Sequence, residues 1–86
     1  MGMSKMKKSN RIGTFKLPQE MLEREPWLIK RIMSQCIILR AEFMYSSRSI
    51  EYQAISMLFD ECQEACIAPE YVWAVDGGYV YPERLL

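Results

Sequence analysis

Histidine is absent from this chain of 86 residues. Its absence removes the commonest general base, the commonest metal ligand and the usual pH switch of proteins. The chain also lacks an apolar run of the roughly 20 residues that a membrane-spanning helix needs, and no segment has the composition of a secretory signal peptide. We therefore expect a non-enzymatic protein that stays in the cytoplasm, binds no cofactor and contacts no membrane.

Cysteine is scarce as well, since the chain has only Cys36, Cys62 and Cys66. Zinc usually takes four ligands, so all three cysteines and a carboxylate such as Asp60 or Glu64 would have to converge. The spacing of Cys62 and Cys66 also differs from the Cys-x-x-Cys of redox motifs. A free cysteine commonly behaves as a small buried hydrophobic residue. The sequence predicts free thiols in a reducing cytoplasm and no metal site.

Acidic and hydroxyl side chains form no complete catalytic set. Asp60, Glu61 and Glu64 are close together in the sequence, but glycoside hydrolysis needs two carboxyl groups held across a cleft. A domain of this size has little room for such a cleft. The serines have no histidine to activate them. We interpret the acidic cluster as a solvated loop and predict no catalytic residue.

Charge divides the chain into two parts. Residues 1–16 carry five basic side chains and no acidic one, whereas residues 17–86 carry six basic and eleven acidic side chains, a net charge of −5. We predict a disordered basic N-terminal arm over residues 1–16 and a single domain over residues 17–86. The arm raises an alternative function, that of a nucleic-acid-associated regulator, in which phosphates would contact Lys5, Lys7, Lys8 and Arg11.

Two prolines organise the first part of the domain. Pro18 suits the first turn of a short helix over residues 19–24, and Pro26 suits the start of a longer one. At 100° per residue, the hydrophobic side chains from Leu28 to Met44 occupy one side of a helical wheel. The pattern predicts one main amphipathic helix from Pro26 to about Tyr45, with Ile38 exposed on its polar side.

Arg40 is the exception on this wheel, because it falls inside the apolar arc. A buried guanidinium needs a charged partner, so a carboxylate from the strands or the acidic loop is one interpretation. A second is that the side chain extends past its neighbours to water. A third is that Arg40 faces a pocket or interface and binds an anionic group.

The second half of the chain indicates strands. Residues 49–55 alternate roughly, with Ile50, Tyr52 and Ala54 on one face, although a helical period also matches this segment. Residues 71–75 and 79–81 favour β structure on either side of Asp76-Gly77-Gly78, and Pro82 stops the second run. We predict an α+β domain, with the main helix packed on a three-stranded antiparallel sheet that includes a C-terminal β-hairpin.

Residues 49–56, then Leu58-Phe59-Asp60-Glu61 and Ala68-Pro69-Glu70-Tyr71, resemble a pattern in small uncharacterised accessory proteins encoded by bacteriophages. The resemblance covers roughly the C-terminal half. It brings no catalytic or ligand-binding residue with it. It implies a phage accessory protein expressed in a bacterial cytoplasm.

Aromatic residues of the hairpin are the predicted binding surface. One helix covers one face of a small sheet, so some of these rings are left for water or for another chain. Tyrosine and tryptophan are enriched at the energetic centres of interfaces. We predict protein binding, first to a second copy as a homodimer and then to a host or viral protein, through Trp73, Tyr71, Tyr79, Tyr81, Ile38 and Arg40.

Overall fold

The computed structural model describes residues 11–61 and 67–85. Within these residues, two short helices and five strands follow one another. In order they are β1 (Ile12–Pro18), α1 (Gln19–Arg24), α2 (Pro26–Met33), β2 (Ile37–Met44), β3 (Ser49–Ile55), β4 (Glu70–Asp76) and β5 (Tyr79–Arg84). The protein is a small α+β domain.

The strands form one mixed sheet in the order β2-β3-β1-β4-β5. β1 lies at the centre, antiparallel to β3 and parallel to β4. β2 pairs antiparallel with β3, and β5 pairs antiparallel with β4 across Gly77 and Gly78, which both have positive φ. Positive φ at both central residues suits a two-residue connection between antiparallel strands. The sheet therefore has two edges, β2 and β5.

Alternation along the central strands separates two faces of the sheet. On β1, Phe15 and Leu17 are buried, and their partners on β3 are Tyr52 and Ile50. The buried Leu28 and Ile32 of α2 belong to the same hydrophobic core. We call this side of the sheet the covered face. The opposite side, which no helix of the described residues covers, is the open face.

Aromatic rings fill the middle of the covered face. Phe15 stacks on Tyr52 with ring centroids 5.3 Å apart and meets Trp73 edge-on at 5.5 Å. Phe59 stacks on Tyr71 at 4.4 Å, and a Cβ added to Gly13 would lie 2.6 Å from the Tyr71 ring. Such ring pairs stabilise a core beyond the area they bury. Gly13 is needed because the two rings lie directly against the backbone of β1.

Helix α2 lies toward the β5 side of the covered face. The Arg31 guanidinium donates a hydrogen bond to the Gly78 carbonyl at 2.9 Å, and the Gln35 amide donates to the Val80 carbonyl at 3.2 Å. Val80 is buried in the core with Leu28. The helix layer therefore covers the β5 end of this face more fully than the β2 end.

The predicted helix from Pro26 to about Tyr45 is wrong in its second half. α2 ends at Met33, and after a turn at Ser34 and Gln35 the chain continues as β2. β2 is paired with β3 along most of its length. These inter-strand hydrogen bonds outweigh the helical periodicity, because tertiary pairing readily overrides a local pattern. The predicted three-stranded antiparallel sheet is accordingly a five-stranded mixed sheet.

Other predicted elements lie where the sequence places them. Residues 19–24 form α1, Pro26 begins α2, and residues 49–55 form β3, so the helical alternative for that segment is wrong. The predicted C-terminal strands lie inside β4 and β5. The expectation that Pro82 stops the second strand is wrong, because β5 continues through Pro82 to Arg84 and stays paired with β4. The prediction of a disordered arm up to residue 16 is wrong for residues 12–16, which belong to the central strand β1 and pair with β3.

Candidate interaction surfaces

The edge strand β2 is the most exposed element of the sheet. Seven of its eight residues are exposed, and Met44 is half-buried. Among them, Leu39 is 51% exposed and Phe43 is 39% exposed. Ile37 and Ile38 are exposed large hydrophobic residues of the same strand. A long edge strand with exposed apolar side chains is a template for pairing with another chain.

The middle of β2 alternates strictly between apolar and charged side chains. Ala41 and Phe43 lie opposite Tyr52 and Ile50 of β3, which places them on the covered face. Arg40 and Glu42 lie on the open face, where a guanidinium nitrogen and a carboxylate oxygen are 3.4 Å apart. The β2 edge thus presents an apolar row on one face and a charged row on the other.

Charges near this edge are arranged in a row across three strands. Lys16 of β1 lies opposite Glu51 of β3, and Glu51 lies opposite Glu42 of β2. Opposite charges on directly facing residues stabilise a sheet, and like charges destabilise it. Glu51 therefore has a favourable neighbour on one side, whereas Glu42 has a like-charged neighbour across the strands and pairs with Arg40 of its own strand.

A β-bulge interrupts β2 at its beginning. The register with β3 shifts between Ile38 and Arg40, so Leu39 is the extra residue. Ile38, which the sequence placed on the polar side of a helix, instead lies opposite Ala54 at the start of an edge strand and is 37% exposed. A bulge ends or redirects strand pairing at an edge, so the regular pairing of β2 extends from Arg40 to Met44, and Leu39 lies at its border.

Arg40 is exposed, so its predicted position in a buried apolar arc is wrong. Its side chain is 69% exposed, because the segment is an edge strand rather than a helix packed on a sheet. With Glu42 and Glu51 it lines a shallow depression of about 170 Å³ on the open face. Two carboxylates beside one guanidinium disfavour an anionic ligand there.

The predicted aromatic residues separate onto different faces of the hairpin. Tyr71 is buried and Trp73 is half-buried on the covered face. Tyr79 and Tyr81 lie on the open face, and Tyr79 is 76% exposed. Val72 shares that face and is also exposed. Tyr71 and Trp73 therefore belong to the core, and the two other tyrosines form a second exposed patch at the β5 edge.

Two polar groups of the aromatic core differ in their hydrogen bonding. The Tyr71 hydroxyl accepts a hydrogen bond from the Asp60 backbone N–H at 2.8 Å. The indole N–H of Trp73 is buried without a hydrogen-bond partner among the described residues. Asp60 also forms a salt bridge of 3.4 Å with Arg84 of β5. Tyr71 is consequently held in place from both its ring and its hydroxyl.

Cys36 is half-buried between α2 and β2. Burial raises the pKa of its thiol from 9.0 to about 11, although a hydrogen bond with Ser56 lowers it. At neutral pH the thiol is therefore protonated and unreactive. Cys62, Cys66 and Glu64 lie outside the described residues. Within residues 11–61 and 67–85, no three cysteine or acidic side chains are placed to hold a metal ion.

The residues of the predicted basic arm are only partly described. Lys5, Lys7 and Lys8 lie outside the described residues. The Arg11 guanidinium donates a hydrogen bond to the Phe59 carbonyl at 2.8 Å, and the Arg11 carbonyl accepts one from the Ser56 backbone N–H at 3.0 Å. Arg11 thus stabilises the loop after β3.

The residues that sequence reasoning missed are Leu39, Glu42 and Phe43. The signal that marks them is the alternation of Leu39-Arg40-Ala41-Glu42-Phe43, which has the period of two typical of a strand. On a helical wheel the same alternation left Arg40 in the apolar arc. One charged residue out of place was therefore evidence against the helix.

Comparisons of the chain with protein-family models, with curated proteins and with solved structures found no match. Among the described residues, neither helix has the length and hydrophobicity that a membrane crossing requires.

Proposed function

We propose that this chain is a non-enzymatic protein-binding module that pairs the edge strand β2 with an extended strand of a protein partner. The observation that carries the proposal is the exposure of seven of the eight residues of β2, including four large hydrophobic side chains. In strand addition, backbone hydrogen bonds provide affinity and alternate side chains provide specificity. β2 offers both.

The other edge of the sheet supports the choice of β2. β5 contains Pro82, and its last residues are charged. Proline cannot donate a backbone hydrogen bond, and proline and charge are devices that prevent pairing at a sheet edge. The exposed Tyr79 and Tyr81 offer side chains at that edge, but Pro82 beside them lacks a backbone N–H. A partner strand gains more hydrogen bonds along β2.

The setting that we propose is a phage accessory protein acting in a bacterial cytoplasm. It rests on the resemblance of residues 49–56, 58–61 and 68–71, and not on any matched relative. In that setting the partner of β2 is a second copy of the chain, a host protein or another viral protein. Nucleic-acid binding by Lys5, Lys7 and Lys8 stays a prediction of the basic arm alone.

Selection from a library of random linear peptides tests the proposal. The immobilised full chain is used at nanomolar concentration, and selected peptides are measured against the wild type and two variants. Phe43→Lys places a charge in the apolar row of β2, and we expect it to weaken peptide binding roughly 30-fold or more, because a desolvated charge replaces an apolar contact. Tyr79→Lys, the matched change at the β5 edge, should leave affinity unchanged.

Hydrogen exchange locates the bound peptide. The backbone amides of β2 should exchange more slowly in the complex, and those of β5 should not change. Deletion of residues 1–8 should keep peptide affinity, because the basic arm has no part in strand pairing. Protection confined to β5, or equal loss with Phe43→Lys and Tyr79→Lys, would show that the binding surface is not β2.

A further inference from the structure

Side chains of β2 are complementary to those of a second β2. If two copies pair antiparallel about a twofold axis at Ala41, Arg40 of each copy lies opposite Glu42 of the other. Leu39 of each copy likewise lies opposite Phe43 of the other. A twofold interface must be complementary to itself in this way. In the segment Leu39-Arg40-Ala41-Glu42-Phe43, both the charged and the apolar positions meet this requirement.

We infer that the partner of β2 is a second copy of this chain, paired antiparallel from Leu39 to Phe43 so that the two sheets become one. This inference rests on the proposed function, since it names the partner of the same edge. The residue at the axis, Ala41, is small, so the two backbones can approach without a clash of side chains.

The electrostatics of one copy favour this register. Glu42 faces the like-charged Glu51 inside its own sheet, and its salt bridge to Arg40 runs along its own strand at 3.4 Å. In the pair, the arginine of the second copy lies directly opposite Glu42, at the short cross-strand distance of about 4.5–5.5 Å between Cβ atoms. Each Glu42 then has a basic neighbour, Arg40 of the second copy, on the side that faces away from Glu51.

The apolar side of the pair is consistent with the same register. Ala41 and Phe43 lie on the covered face, where α2 is displaced toward β5. In this register Leu39 of each copy lies opposite Phe43 of the other, so the two apolar side chains shield one another from water. The bulge at Leu39 ends the regular ladder, which limits it to five residues per copy. Interfaces this small are weak, so we expect a dissociation constant on the order of 1–100 µM.

Charge reversal tests the register. Arg40→Glu places acidic residues opposite each other twice in the pair, and Glu42→Arg places basic residues opposite each other twice. Each variant alone should associate roughly 10- to 100-fold more weakly than the wild type, because two attractive cross-strand pairs become repulsive. In an equimolar mixture of the two variants, both cross-strand pairs are attractive again, and association should return.

This rescue cannot come from within one copy, because each variant has lost its own opposite charge along β2. The masses of the full-length wild type, each variant and the mixture are measured by light scattering from about 1 to about 100 µM, a range that spans the expected dissociation constant. Glu83→Arg, a reversal on the open face of the β5 edge, is the matched control and should associate like the wild type.

A disulfide crosslink tests the register independently. With the native cysteines replaced by alanine, Ala41→Cys should oxidise to a covalent dimer, since facing Cα atoms at the axis lie within the range that a disulfide spans. Tyr79→Cys at the other edge should not.

The results of these experiments distinguish a failure of the homodimer from a failure of peptide binding. A wild type that stays monomeric throughout, or a mixture that fails to associate when the wild type dimerises, overturns the second copy or its register. Peptide binding at β2 would then still hold. Loss of peptide binding beside an intact dimer would restrict β2 to pairing with a second copy and exclude other protein partners.

Discussion

The two edges of the sheet differ in how far they are protected against pairing with another strand. At the β5 edge, α2 packs close by through Leu28 and two side-chain hydrogen bonds, and Pro82 within the strand has no backbone N–H to donate. At the β2 edge no proline is present, and side chains are exposed on both faces. Proteins usually protect exposed strand edges. β2 has a bulge only at its beginning, and we propose that the rest of this edge is kept for pairing.

The largest difference between the two regions should appear when the same residue type is shortened in each. Leu28 is 5% exposed beside the β5 edge, and Leu39 is 51% exposed on β2. Leu28→Ala should lower the free energy of unfolding by about 2–5 kcal/mol, the usual cost of a cavity in a core. Leu39→Ala should change it by less than about 0.5 kcal/mol in the monomer, as exposed substitutions do.

Chemical denaturation at a concentration of about 0.1 µM, below the expected dissociation constant of the pair, measures both values. If Leu28→Ala does not fold, Ile32→Val is the milder variant and should cost about 0.5–1.5 kcal/mol. Equal losses at Leu28 and Leu39 would mean that β2 is packed as well as the β5 side, and the contrast between the edges would disappear.

The contrast also explains which parts of the fold the sequence predicts. β3, β4 and β5 have alternating or β-favouring patterns and turn residues such as Gly77-Gly78, so their strands follow from local chemistry. α1 and the start of α2 follow from Pro18 and Pro26. The central position of β1 does not follow, because its pairing with β3 and β4 is a long-range contact that no local signal of Ile12–Pro18 specifies.

The candidate site was missed for a related reason. From Leu28 to Met44 the hydrophobic residues match a helical arc, and no glycine or proline marks the end of α2 at Met33. Only the charged positions Arg40 and Glu42 reveal the period of two. An edge strand has one neighbour and no buried face, so its hydrophobic pattern carries less information than that of β1 or β3.

A second, smaller effect should follow when the protection of the β5 edge is removed. Pro82→Thr restores a backbone N–H to β5, and we expect it to create a second site of self-association. The change is made in the Phe43→Lys background, in which β2 pairing is already weakened. The mass of this variant should rise with concentration, whereas the free energy of unfolding of its monomer should change by less than about 1 kcal/mol.

Glu83→Thr in the same background is the control, since it removes a charge from the edge and adds no hydrogen-bond donor. A Pro82→Thr variant that stays monomeric would show that the proline is not what protects this edge. The remaining explanation would be the charges of Glu83 and Arg84.

The smallest expected effect concerns the reactivity of the Cys36 thiol, which lies between the packed helix α2 and the exposed strand β2. Its pKa is raised by burial from 9.0 to about 11, so its thiolate fraction at neutral pH should be about 100-fold below that of an unperturbed thiol. Because the folded-state pKa is the higher one, the stability that this thiol contributes is present below pH 9.0 and lost as pH rises through about 11. Alkylation should therefore be slow at neutral pH and rise tenfold per pH unit until about 11.

Peptide mass spectrometry measures the rate at Cys36 separately from those at Cys62 and Cys66. Ser56→Ala removes the hydrogen bond that lowers the pKa of Cys36, so alkylation should become slower still. Fast alkylation of Cys36 at neutral pH would instead show that water reaches the segment between α2 and β2. The beginning of β2 would then open together with its edge, and the boundary between the packed and the pairing parts of the sheet would lie at Met33 rather than at Ile37.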